Sequence, residues 1–210
     1  MSVKIKICGM RFPENIIEIA SLRPDYFGFI FYTKSPRFFD GQIPKIDGSI
    51  QKVGVFVNAT LDEIEEKVKQ YELDIVQLHG EESVEFCHLV QQKKIKVIKA
   101  FSIDNGFDFR ELHYFHDCCN YFLFDTKGIN HGGNGMNFDW TILQNYHLDK
   151  PYFLSGGIGL ENLSDVNVFL TQPYAKHCVA IDCNSKLESF AGMKSVIKVK
   201  EFINAFKSRL

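Results

Sequence analysis

Apolar and polar positions alternate along residues 3–8, VKIKIC: Val3, Ile5 and Ile7 share one parity, and Lys4, Lys6 and Cys8 share the other. A strand with this pattern turns β-branched residues to one face and two lysines and a thiol to the opposite face. Seven further runs rich in β-branched or aromatic residues predict strands: YFGFIF (26–31), KVGVFV (52–57), DIVQL (74–78), KVIKAF (96–101), YFLFD (121–125), YFLS (152–155) and CVAID (178–182). Between most of them the period lengthens to that of a helix. TLDEIEEKVKQYE carries a capping box, Thr60 with Glu63, and an apolar stripe of Leu61, Ile64 and Val68. SVEFCHLVQQKK, FDWTILQNYH, ENLSDVNVFL and MKSVIKVKEFINAFKSRL also read as helices.

Strand starts lie about 25 residues apart, the size of one βα unit. Alternation of strand and helix predicts a parallel sheet, and eight units predict an α/β fold closed into a compact (β/α)8 TIM barrel, with residues 1–210 as one domain. An open doubly wound sheet is the alternative; it is weaker because no G-x-G-x-x-G follows the first strand. The second unit is irregular: Pro36, Gly41, Pro44 and Gly48 stand where its outer helix would run.

Composition changes this picture little. The 210 residues include 20 phenylalanines, enough for a core of bulky side chains, and a net charge of −2 makes no electrostatic case for nucleic acid or anionic membrane. No signal-peptide pattern or membrane-length apolar run is visible, so the expectation is a soluble, cytoplasmic protein. Six cysteines without a C-x-x-C pair do not suggest a disulfide framework. HYFHDCC (113–119) crowds two histidines, an aspartate and two cysteines, but its spacing fits no zinc pattern. It reads instead as a helix with surface histidines and buried cysteines.

In a barrel of this kind function lies at the carboxyl ends of the strands. Those ends carry Cys8 and Gly9, Arg37 in the second loop, His79 and Gly80, Asp125, Gly156 and Gly157, and finally Asp182, Asn184 and Ser185. The paired glycines are either a tight turn or an anion cradle of backbone N–H groups, and their place after the seventh strand favours phosphate. HGGNG (131–135) is a lid or a flexible connection. Cys8 is a small buried hydrophobe or, with a cation nearby to favour the thiolate, a general base. Asp125 is a salt-bridge partner or cap, or a general acid with a raised pKa. Arg37 is a solvated charge or a fork for a carboxylate or phosphate. His79 is a base or, more readily, a hydrogen-bonded structural histidine. Lys6 points to the same inward side as Cys8, where an ammonium needs a partner. Asp182 on the neighbouring eighth strand is the nearest inward acid, so a Lys6–Asp182 pair beneath the site is expected.

KICGM, GFIF…SPR, VGVFVN, QLHG, FDTKG…GGNG…FDW, LSGGIG and AIDCNSKLE…GMK, in this order over nearly the whole chain, resemble the motif series of the phosphoribosylanthranilate isomerases of tryptophan biosynthesis. The resemblance implies a barrel without metal or organic cofactor. It implies an Amadori rearrangement of N-(5-phosphoribosyl)anthranilate, a small-molecule substrate, in a monomer or homodimer that binds neither nucleic acid nor membrane. Carried over, Cys8 matches the base, Asp125 the acid and Arg37 the arginine that meets the anthranilate carboxylate. Gly156 and Gly157, with Asp182, Asn184 and Ser185 at the end of the eighth strand, match the substrate and phosphate contacts. The chain departs from the pattern after Cys183, reading Asn184-Ser185-Lys186 where many members have Ser-Ser-Gly. Two rival readings are another sugar-phosphate isomerase on the same barrel, which by resemblance would carry an aspartate in place of Cys8, and a non-catalytic barrel that binds a phosphometabolite.

Overall fold

A computed structural model describes residues 2–126 and 140–208. Eight parallel strands close in sequence order: β1 (Lys4–Cys8), β2 (Tyr26–Ile30), β3 (Gln51–Phe56), β4 (Ile75–Leu78), β5 (Lys96–Ile103), β6 (Tyr121–Thr126), β7 (Tyr152–Ser155) and β8 (Cys178–Cys183). β1 pairs with β8, which closes the barrel. Every predicted strand is present.

Register partners point to the same side of a sheet, so pairing sorts the interior into layers. Lys6 pairs with Tyr26 and with Asp182, Val53 with Ile75, and Leu123 with Phe153. Tyr26, Val53, Ile75, Leu123 and Phe153 belong to an apolar layer that fills the lower barrel. Above it, toward the carboxyl ends, the inward positions become polar. The opposite strand faces meet an outer shell of helices: α1 (Pro13–Ala20), α2 (Leu61–Tyr71), α3 (Val84–Gln92), α4 (Leu112–Phe115), α5 (Leu163–Leu170) and α6 (Val196–Lys207). The α2 capping box forms, with Thr60 accepting from the Glu63 N–H and Glu63 accepting from the Thr60 N–H. Ile64 of its stripe is fully buried, and Leu61 and Val68 pack beside it.

No helix forms between β2 and β3. Proline removes N–H donors there and fixes φ, and the segment crosses the sheet in turns with a single bridge, Ile30 to Phe38. Phe39 covers the face that a helix would have covered: its ring lies 4.9 Å from Phe29, 6.0 Å from Phe31 and 5.4 Å from Tyr71.

Three helix expectations need correction. The described part of FDWTILQNYH forms a 3-10 turn, Trp140–Asn145, not an α-helix; it anchors through buried Trp140 and Leu143 rather than along a full stripe. Of HYFHDCC only the first residues belong to α4, and Cys118 and Cys119 are buried beyond its end, both thiols donating to the Phe115 carbonyl. The last helix starts at Val196, because Met193–Lys194 (β10) pairs instead with Glu188–Phe190 (β9) in a small hairpin. The HGGNG loop lies outside the described residues.

Candidate active site

The carboxyl ends of the strands enclose a cleft of about 310 Å³. Cys8 at the end of β1 opens into it, and so do His79 beyond β4 and Asp125 on β6. Gly156 and Gly157 line it after β7, and Asp182, Asn184 and Ser185 line it from β8. The structure therefore gathers most of the expected site around one space, with Lys6 buried beneath.

Cys8 has room because its neighbour on β2 has no side chain. Cys8 pairs with Gly28, where a Cβ would lie 2.6 Å from Sγ. Gly9 adopts φ +75°, and a Cβ there would come 2.7 Å from Asn184 Oδ1 and 2.9 Å from Arg37 Cδ. The strand thus stops on glycine to let the β8 loop and the arginine pack against the turn.

Lys6 Nζ lies 2.7 Å from Asp182 Oδ2, the pair expected from barrel closure. It also donates to Gln77 Oε1 at 2.7 Å. Burial opposes the Lys6 charge, but Asp182 and Cys8 outweigh it and hold the ammonium above the ordinary lysine range. Asp182 Oδ1 is buried without a hydrogen-bond partner.

The acid and base carry charges other than those expected. Burial pushes the Cys8 thiol up, and Lys6 recovers only part of that shift. Burial also pushes the Asp125 carboxyl up, but the His79 hydrogen bond, with help from Ser155 and Lys6, holds it below the ordinary carboxylate range. The raised pKa expected for Asp125 is therefore corrected. Its side chain remains about one-third exposed, and His79 Nε2 stands 3.5 Å from its Oδ2.

Arg37 lies to one side of the cleft. Its Nε and Nη2 fork onto Glu188 at 2.7–3.1 Å, which leaves Nη1 outside that pairing. Glu188 also accepts from Lys194 at 2.8 Å, and Lys194 donates to Asn184 Oδ1 at 2.8 Å. Sequence reasoning missed this network and Gln77. For Gln77 a signal existed: it is a polar residue at inward parity in an apolar strand. Glu188 and Lys194 end the two halves of the motif stretch AIDCNSKLE…GMK, but nothing there points to Arg37, since their contacts depend on a hairpin folded back toward the second loop.

Gly156 and Gly157 have φ of 108° and 62°, and nothing stands within 4 Å of a Cβ built at Gly157. The Gly157 backbone is thus open to a ligand, and Gly156 lines the cleft beside it. Lys186 also lines the cleft and pairs with Glu161 at 2.7 Å. Among the described residues no group of His, Cys, Asp or Glu is arranged to hold a metal ion.

Residues 5–205 match the family model of N-(5'phosphoribosyl)anthranilate (PRA) isomerase. The chain belongs to this isomerase family. It is 43% identical over 205 residues to the N-(5'-phosphoribosyl)anthranilate isomerase of Parabacteroides distasonis, covering 95% of this chain and 91% of that one. It is 37% identical to the isomerase of Phocaeicola vulgatus over 98% of both chains. The crystal structure of the Thermotoga maritima isomerase superposes with a TM-score of 0.82 at 31% identity, covering 98% of this chain and 99% of that one. Another family structure, in complex with reduced 1-(o-carboxyphenylamino)-1-deoxyribulose 5-phosphate, gives a TM-score of 0.81 at 29% identity over the same shares.

Proposed function

We propose that Cys8 and Asp125 carry out, as base and acid, the reaction of the isomerase family: the Amadori rearrangement of N-(5-phosphoribosyl)anthranilate to 1-(2-carboxyphenylamino)-1-deoxyribulose 5-phosphate in tryptophan biosynthesis. The observation that carries this reading is the placement of the Cys8 thiol and the Asp125 carboxyl in a single cleft, with an anion-compatible glycine turn beside them.

Protonated Asp125 gives its proton to the ribose ring oxygen. The C1′–O bond breaks, its electron pair stays on oxygen, and the anthranilate nitrogen lone pair forms the iminium. Cys8, as thiolate, takes the proton from C2′, and those electrons make the enolamine, which tautomerises to the ketone. The unpaired Asp182 Oδ1 suits a sugar hydroxyl donor, since a buried acceptor without a partner is destabilising until one arrives. Gly156, Gly157, Asn184 and Ser185 offer the phosphate site, and Arg37, through Nη1, offers the carboxylate site. The reading takes residues 1–210 as one domain, active as monomer or homodimer. Six free cysteines suit a reducing, cytoplasmic compartment. Among the described residues no helix is long and apolar enough to cross a membrane.

The test is loss of substrate fluorescence with purified protein. Cys8→Ser and Asp125→Asn should each lower kcat by at least ~100-fold and leave product-analogue binding near its parent value. Full turnover by either variant removes that residue from the mechanism.

A further inference from the structure

A line of polar side chains runs from the floor of the site to its acid. Lys6 and Gln77 are buried, and Lys6 Nζ donates to Gln77 Oε1 at 2.7 Å. Gln77 Nε2 lies 2.7 Å from His79 Nδ1, and His79 Nε2 lies 3.5 Å from Asp125 Oδ2. The hydrogen-bonding roles follow from the residue types. An ammonium only donates, so the Gln77 atom facing it is the carbonyl oxygen. The amide nitrogen then faces His79, and it too only donates. Nδ1 must accept, so the one ring hydrogen of a neutral imidazole sits on Nε2, toward Asp125.

We propose that Gln77 is a positioning residue of the isomerisation: held by Lys6, it fixes His79 as the Nε2–H tautomer and thereby supplies Asp125 with a directed hydrogen-bond donor. The proposal rests on Asp125 being the acid of the function above. With Oδ2 facing His79, the transferable proton of Asp125 belongs on Oδ1. As that proton passes to the ring oxygen, negative charge appears on the carboxyl group, and a donor already aimed at Oδ2 stabilises it without reorganisation. The opposite tautomer would present a lone pair to the same oxygen and repel the charge as it forms. Apo hydrogen bonds of this kind are often long and tighten in the complex, so a 3.5 Å separation is compatible with the role.

The test reads the tautomer directly. Two-bond proton–nitrogen spectra of the whole protein, labelled at the histidine ring nitrogens, distinguish the two forms, and His79→Gln identifies the signals of His79. The parent protein at neutral pH should show a bare Nδ1 and a protonated Nε2. Gln77→Met, which cannot donate, should mix the tautomers and lower kcat at least ~10-fold with KM little changed. Gln77→Glu offers an acceptor of nearly the same shape and should turn His79 toward the Nδ1–H form. A His79 that carries its hydrogen on Nδ1 in the parent protein overturns the proposal, whether or not the variants fold. So do variants that leave both tautomer and kcat unchanged. These spectra need no substrate, so a parent protein without isomerase activity sinks the function proposed above and is distinguishable from failure of this step.

Discussion

Lys6 and Asp182, register partners on neighbouring strands and 176 positions apart in the chain, form a buried ion pair of 2.7 Å directly beneath the thiol of Cys8. An ammonium and a carboxylate taken from water at this depth are weak stabilisers as a pair, but each becomes a liability without the other. The pair keeps a cation below Cys8 while Asp182 offsets its charge. Lys4, two residues earlier, needs no such partner, because it reaches solvent at the lower mouth of the barrel and lies 5.3 Å from the Tyr26 ring.

Lys6→Met should therefore act twice. It leaves Asp182 buried and unpaired, a loss of about 3–5 kcal/mol in stability, and Lys6→Met/Asp182→Asn should recover part of that in denaturant melts. Both variants lack the ammonium, so Cys8 should react with a thiol reagent only at higher pH than in the parent. A thiol titration that stays in place in both variants would show that Lys6 does not act on Cys8.

Gly28→Ala tests the space around the base, Cys8. The added methyl would sit 2.6 Å from Cys8 Sγ and 3.0 Å from its Cα, so the thiol or the strand must move. A displacement of about 1 Å at a reacting atom is enough for roughly 100-fold in rate. The expected outcome is a fall in kcat of that order with the circular dichroism spectrum retained. A fully active variant would show that the thiol position is not critical.

The barrel was legible because each strand was bounded and its period distinct from that of the helices. The Lys6–Asp182 pair was legible because closure brings β1 beside β8 and parity brings both side chains inward. What could not be read was the balance of opposing effects. A cation near Cys8 was visible in KIKIC, but the burial that outweighs it depends on neighbouring strands. Likewise Asp125 was visible at the end of an apolar run, which argued for a raised pKa, whereas the His79 and Ser155 contacts that lower it come from β4 and β7. The Glu188 contact to Arg37 spans 151 positions and depends on the β9–β10 hairpin folding back, a geometry that the motif residues themselves do not state.

That contact suggests how the arginine is aimed. Glu188 is buried and holds Nε and Nη2, so it fixes the guanidinium plane and leaves Nη1 to meet a carboxylate. Glu188→Gln removes the charge and one face of the fork. KM for phosphoribosylanthranilate should rise roughly tenfold, corresponding to loss of about 1.4 kcal/mol of binding, while kcat stays near the parent value. Arg37→Met should give the same pattern more strongly. A kcat defect with unchanged KM in both would place the pair in the chemical step instead of in binding.

The pH profile tests the acid and base together. Burial holds the Cys8 thiol above its ordinary range, and the His79 and Ser155 contacts hold Asp125 below the ordinary carboxylate range against its own burial. At neutral pH the resting cleft therefore carries an ionised Asp125 and a neutral Cys8, the reverse of what ring opening and proton abstraction require. The working form has its proton on Asp125 and none on Cys8. It holds the same number of protons as the resting form, so its share stays constant between the two titrations. Below the Asp125 titration both groups are protonated and the thiolate is lost; above the Cys8 titration both are ionised and the acid is lost. Consequently kcat should be flat across neutral pH and fall only above the ordinary thiol range on the alkaline side. Alkylation of Cys8 by iodoacetamide needs only the thiolate, so its rate should climb through the same alkaline window. Opposite trends of kcat and alkylation rate, measured on one preparation, are the expected result. If kcat instead rose together with alkylation, proton donation by Asp125 would not be limiting, and the acid would have to be sought elsewhere in the cleft.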